Sequence, residues 1–383
     1  MGKGIDFAAA EAAFEQSIDG TVGIEEEFAI VDPESLDLVP LFEQLRDAAG
    51  SDTDLATSVA GELIRSEIEI RSGRGENIHD AQALQAGFRK QLFQIARDQG
   101  VALAATGTHP WADYRDQAII DTDHYRRVED DLRWVAWRNN TFSLHIHVGV
   151  QGADRAVKVC DRLRSVLPLL LALSSSSPFL DGRDSGLHSV RSQIFTKSFP
   201  RCGIPDHYGS WAAFEGYLRD LLSVNSIVEY TQVWWSVRPH LSYGTVEVRI
   251  CDAQPTGAES DALGQLITAC VLQAARDEDE GVPVVAPSRA LIEENFWRAI
   301  RYGTEGKLID FERMEEFDSA STLERLLAWT APVRAEIDVE PRFPSLNGTQ
   351  RQRAELAAGR SIRDVYGDLL TETDSTYAPR EPK

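Results

Sequence analysis

Two short segments of the chain carry carboxylates in alternation. Residues 21–31 read Thr-Val-Gly-Ile-Glu-Glu-Glu-Phe-Ala-Ile-Val, and residues 62–72 read Glu-Leu-Ile-Arg-Ser-Glu-Ile-Glu-Ile-Arg-Ser. β-Branched and aromatic residues surround the acids, so both segments read as strands. Side chains two apart on a strand share a face, roughly 7 Å from one another. Glu25 and Glu27 therefore share a face, as do Glu67 and Glu69. Carboxylates crowded inside a sheet repel each other and lose hydration. Bound cations remove both costs, and hard oxygen donors suit magnesium or manganese. A solvated strand face would explain one such segment more readily than two.

Other polar groups recur at the same spacing. His145 and His147 sit in Leu-His-Ile-His-Val-Gly, two apart. Such a pair can bind metal, contact phosphate or satisfy a polar core. Glu247 and Arg249 share a face, with Arg238 one hairpin away. They form either a buried ion pair or a metal-binding acid beside two arginines that clamp phosphate oxygens. Arg191 and Arg201 lie among apolar, Pro and Gly residues in Arg-Ser-Gln-Ile-Phe and Phe-Pro-Arg-Cys-Gly-Ile-Pro. Two cations there suit a substrate carboxylate or a γ-phosphate. The chain has no GxxxxGK[ST] loop, no GxGxxG after a strand and no GxSxG elbow. Acids, imidazoles and arginines without an evident nucleophile fit electrostatic phosphoryl chemistry better than covalent catalysis.

These residues need strands to aim them and helices to bury the strands. The pattern predicts a helix over 7–17, the first glutamate strand with a turn at Asp32-Pro33, and the second over 62–72. A helix capped by Asn77 runs to about Gln99 and closes at Gly100. A buried strand over 101–106, a helix over 122–137 and a strand over 141–150 follow. Residues 153–173 read as a helix kinked at Pro168. A long irregular stretch, 174–210, precedes a helix over 211–223 and strands over 231–238 and 244–251. Helices dominate from 258, and the tail from Thr371 is expected to fray. Strands and helices do not alternate, which favours α+β over a doubly wound sheet.

Bulk properties narrow the function classes. The 383 residues carry a net charge of −22, which argues against general nucleic-acid binding. Only six of the 39 cations are lysine, a surface shared by proteins of salt-loving cells and by acidic proteins of GC-rich genomes. No apolar run reaches membrane-spanning length, and residues 1–14 lack a signal pattern. Gly2 is not followed by the hydroxyl residue that myristoylation requires. A soluble cytoplasmic protein without membrane partners is expected, and a homo-oligomer is compatible with it. The four cysteines form no CxxC pair and read as packing residues.

The ordered set of motifs resembles the type 2 glutamate–cysteine ligases, carboxylate–amine ligases related to glutamine synthetase. The motifs are Gly23–Phe28, Glu62–Glu69, His145–Gly149, Arg191–Phe195 with Pro200–Pro205, and Trp234–Pro239 with Glu247–Asp252. The resemblance spans roughly residues 20–370. It implies a curved antiparallel sheet forming a funnel, with helices outside, in one catalytic domain over 1–370 and a flexible tail over 371–383. It implies ATP and magnesium, or manganese, held by Glu25, Glu27, Glu69 and Glu247. His145 or His147 would touch metal or phosphate. Arg238 and Arg249 would handle nucleotide phosphates, and Arg191 and Arg201 would lie near the substrates. The chain departs from the family pattern at Glu67, where relatives carry a neutral residue, and after Ser72.

The implied reaction joins the γ-carboxylate of L-glutamate to the amine of L-cysteine through a γ-glutamyl phosphate. Three other readings remain open at this level: the same mechanism with another amine, a metal-dependent amidohydrolase, and a nucleotide or metal sensor without turnover.

Overall fold

A computed structural model describes residues 4–50 and 53–379. Residues 1–3, which bear on the reading of the amino terminus, and 380–383 of the expected tail lie outside the described residues. Seven strands form one sheet: β1 (Val22–Val31), β2 (Val59–Ala60), β3 (Glu67–Arg71), β4 (Ala102–Ala104), β5 (Ser143–Gly149), β6 (Val237–His240) and β7 (Thr245–Asp252). Their order is β6-β7-β5-β1-β3-β2, with β4 also paired to β1. Every pairing in it is antiparallel. The sheet is open, not a closed barrel. β1 is the central element because it pairs with β5 through residues 22–26 and then with β4 through 29–31, while β3 runs along its other side.

One face of the sheet is apolar, because the alternate residues Ile24, Phe28, Leu144, Ile146, Val148, Val246 and Val248 point there. The helices Ile78–Asp98, Ala153–Leu163 and Gly257–Asp279 pack over it. Each fully buried Phe or Ile contributes about 1.5–3 kcal/mol, so this face holds the sheet in place. Glu26 also points to this side. It is buried there against Arg89, which donates from Nε and Nη2 at 2.7 and 2.6 Å. Gln85 and Ser260 donate to the same carboxylate.

Asn77 caps its helix as expected, accepting from the Asp80 amide at 3.0 Å. Five expectations need correction. The strand over 231–238 breaks up: Tyr230–Gln232 is a 3-10 turn, Trp234–Trp235 pairs with Cys202–Gly203 outside the main sheet, and β6 starts only at Val237. The second glutamate strand begins only at Glu67; a turn at residues 65–66, closed by the Glu67 amide donating to the Ile64 carbonyl at 3.2 Å, precedes it. The helix over 122–137 is two pieces, Asp123–Leu132 and Trp134–Trp137, because Arg133 sits at φ +49°. The helix over 153–173 also breaks, and Pro168 stands in the first turn of Leu167–Ser174, where its missing N–H costs nothing. The tail does not fray at Thr371. Helix Ile362–Tyr377 continues because Leu370, Thr373 and Tyr377 are buried, and Tyr377 stacks on Phe93 at 5.8 Å. A hairpin of Lys307–Asp310 and Glu315–Asp318 interrupts the helices after residue 258. All four cysteines are buried and free.

Candidate active site

The other face of the sheet gathers the polar groups. Antiparallel register sets Glu27 opposite Glu69, Glu25 opposite His145, and Gly23 opposite His147. On the next strands Glu247 stands opposite both His147 and Arg238. All four expected metal acids, both histidines, Arg238 and Arg249 therefore meet on one face. They are buried or nearly so.

Among the described residues, three groups of ligand atoms lie within 4.8 Å of one another: Glu25, Glu69 and His145; Glu25, His147 and Glu247; Glu27, Glu62 and Glu69. Glu25 and Glu69 each belong to two groups, so the three sites adjoin. Mostly carboxylate donors, with at most one imidazole each, suit hard divalent cations better than zinc. The buried Nε2 of His147 lies 3.3 Å from a Glu25 oxygen without forming a well-aligned hydrogen bond, and its Nδ1 is oriented by Thr245 Oγ1 at 3.0 Å. His145 is held by Glu25 at 3.0 Å and Ser143 Oγ at 2.8 Å.

Electrostatics divide the acids into two sets. Burial pushes Glu25 up, but His147 and His145 together outweigh it and hold the carboxyl well below the ordinary range. Burial likewise acts on Glu247, where Arg238, Arg249 and His147 pull harder and keep it ionised. Glu62, Glu67 and Glu69 have too little compensation. Burial, then the neighbouring acids, pushes Glu62 up to about 8 and the other two well above the usual value. Buried and half-buried carboxyls crowded in this way form a donor set whose mutual repulsion divalent cations would relieve. His147 is raised by Glu25 against its burial.

Arg238 donates from Nε to Glu247 at 2.6 Å and also bonds the Val233 carbonyl. Arg249 reaches Glu247 at 3.3 Å, and its buried Nε has no partner. Arg249 therefore keeps a donor free for an anion, whereas Arg238 is largely committed to Glu247. The two loop arginines are placed differently. Arg191 is buried and bonds the β7 carbonyls of Arg249 and Ile250. Arg201 bonds the Gln232 carbonyl at 2.9 Å and lies over Trp234. The titratable groups nearest its charge are Tyr217 and Asp131, not the glutamate cluster.

Sequence reasoning missed Glu62. In a strand over 62–72 it would face away from Glu67 and Glu69, and the turn before β3 reverses that. Its signal was the acid at the head of a motif already rich in acids. Tyr125 was also missed. Its hydroxyl bonds the Gly61 carbonyl at 2.6 Å, and burial followed by Glu62, Glu69, Glu67 and Glu27 pushes it up. It belongs to the helix Asp123–Leu132, which packs beside the acids. At the other end of the sheet a cavity of about 1110 Å³ opens beside Glu25 and His147, lined also by Gly23, Arg71, Gly73, Tyr243 and Thr245.

Comparison with known proteins finds relatives that match along nearly the whole chain. A protein of Solibacter usitatus (strain Ellin6076), provisionally named glutamate–cysteine ligase 2, is 36% identical over 94% of this chain and 95% of its own length. One of Sorangium cellulosum (strain So ce56) with the same provisional name is 38% identical over 93% and 97%. Among solved structures, the glutamate–cysteine ligase of Francisella tularensis in complex with AMP superimposes with a TM-score of 0.71. It is 14% identical, over 95% of this chain and 90% of that one. A bifunctional glutathione synthetase from Pasteurella multocida gives a TM-score of 0.70 at 13% identity, over 97% of this chain and 54% of that one. The sequence model of glutamate–cysteine ligase family 2 matches residues 21–361, and the chain belongs to that family.

Proposed function

We propose that this protein is an ATP-dependent carboxylate–amine ligase that joins the γ-carboxylate of L-glutamate to the amine of L-cysteine, in the cytoplasm. The observation that carries the reading is the run of three adjoining acid and imidazole groups on one sheet face, with Arg249 beside them. A carboxylate is a poor acyl donor because amide formation would expel oxide. A γ-carboxylate oxygen attacks the γ-phosphorus of ATP and ADP leaves. The amine nitrogen then attacks the acyl carbon, loses a proton and expels phosphate. Magnesium or manganese, held by Glu25, Glu27, Glu62, Glu69, Glu247 and the two histidines, would neutralise the phosphoryl oxygens. Arg249 offers its free donor to the charge that develops on the transferred phosphoryl group. Arg238 holds Glu247 ionised and oriented. The buried walls keep water from the acyl phosphate.

The test is ADP release with glutamate and cysteine, each omitted in turn, with and without magnesium. Release that needs both amino acids and the metal supports the reading. Stimulation by a different amine but not by cysteine moves the assignment to another acceptor. Turnover without ATP, or ATP binding without any turnover, overturns it.

A further inference from the structure

Arg191 occupies a place that a phosphate ligand would not need. β7 carries a bulge: Val248 stands opposite Ile146 and Cys251 opposite Leu144, so Arg249 and Ile250 together face the single residue His145. A bulge turns a side chain and strips backbone groups of their ladder partners. Arg191 restores partners to both bulge residues. Its Nη1 donates to the Ile250 carbonyl at 3.1 Å and its Nη2 to the Arg249 carbonyl at 3.4 Å. Asp252, fully buried, lies 3.7 Å from the same Nη1. That carboxylate is fixed in turn by the Ser176 amide and the hydroxyls of Ser177 and Ser189, at 2.9, 2.6 and 2.8 Å. A Cβ on Gly107 would lie 2.7 Å from the Asp252 carboxyl carbon, so the glycine leaves it room. The ring of Phe195 lies 5.9 Å from the Arg191 guanidinium and 5.7 Å from that of Arg249. Both tips of Arg191 are thus engaged by the backbone that carries Arg249.

We infer that Arg191 is a positioning residue: it clamps the β7 bulge and so aims Arg249, and does not itself hold phosphate. The inference rests on the proposed role of Arg249. Lysine keeps the charge beside Asp252 but cannot bond two carbonyls as a fork does, which makes Arg191→Lys the variant that tests aim without removing charge. Arg191→Met removes both.

In the full chain, three quantities are read: hydrogen exchange of the peptide spanning residues 245–252, the dissociation constant of magnesium–ATP, and kcat with glutamate and cysteine. Arg191→Lys is expected to speed exchange over 249–252 and to lower kcat about 10²-fold, the scale of a misplaced catalytic group. ATP affinity should stay within about twofold. In an Arg249→Lys background the same substitution should lower kcat less than about threefold, because its route is already cut. Unchanged exchange overturns the inference. So does an equal fold-loss in both backgrounds, or a tenfold-scale loss of ATP affinity at constant kcat, which would mark a direct phosphate ligand through the unpartnered Nε. A wild type inactive with glutamate and cysteine would sink the function reading alone; exchange and ATP binding still decide the role of Arg191. A fall in folded fraction with Arg191→Met but not Arg191→Lys leaves the lysine variant as the deciding one.

Discussion

Neutralising either of two adjacent glutamates should have opposite consequences. Glu26→Gln strikes the helix side of β1, where the carboxylate accepts two bonds from Arg89 and one each from Gln85 and Ser260. The amide can accept through one oxygen only, and its NH2 would meet the donors of Arg89 or Ser260. The guanidinium stays buried with Asp261, at 3.0 Å and partly exposed, as its remaining charged partner, and the Ser260 hydroxyl at 3.3 Å. Breaking a buried pair from one side costs about 3–5 kcal/mol, and Asp261 puts this case at about 3. Glu27→Gln strikes the other side. Its oxygen can still accept from the Ser143 amide, and one negative charge leaves a site where Glu27 helps push up Glu62 and Glu67. Without metal that change should be neutral or stabilising by up to about 1 kcal/mol. Urea unfolding in EDTA, then with saturating magnesium, separates the two. Glu26→Gln should lose midpoint in both media, and Glu27→Gln should lose only the gain that magnesium gives the wild type. Equal losses in EDTA, or an unaffected Glu26→Gln, would refute the division of the two faces.

Further outcomes follow from the same geometry. Glu62, with its folded carboxyl near pH 8, and Glu67 and Glu69, also raised, bind protons more tightly folded than unfolded. Stability of the metal-free protein should therefore fall as pH rises from the ordinary carboxylate range to about 8. Since bound cations need the ionised form, the thermal upshift produced by magnesium should grow between pH 6 and 8; a flat profile in a thermal-shift titration would contradict this. Tyr377→Ala should cost about 3 kcal/mol or more in urea unfolding, because the ring packs on Phe28 and Phe93 at 5.3 and 5.8 Å. A loss below about 1 kcal/mol would mean that the carboxy-terminal helix does not brace β1.

The strand pattern was legible wherever alternation and β-branching coincided. β1, β5 and β7 follow it, and so do the clustered acids on β1 and β7. The cap at Asn77 and the helix after it were legible for the same local reason. What escaped depended on single backbone torsions or on distant partners. The reversal before β3 that brings Glu62 round and the break at Arg133 are turn events inside otherwise periodic runs. Tyr377 looked like part of a polar tail because the surface it meets, Phe28 and Phe93, is hundreds of residues away in the chain. Arg191 and Arg201 share one motif region and one residue type. Only the bulge of β7 and the carbonyl of Gln232 distinguish what they do.

The split of Glu25-Glu26-Glu27 across β1 also guards the strand's alignment. If β1 slipped by one residue against its neighbours, every side chain would change sides. Two carboxylates of β1 would then enter the helix-covered layer, where one guanidinium waits, and β1 would present a single acid, Glu26, to the polar face. The correctly threaded sheet matches one anion to one cation on its dry side; the slipped one leaves an anion stranded. Three consecutive acids thus act as a key that fits in one alignment only, with Arg89 as the group that tells the two alignments apart.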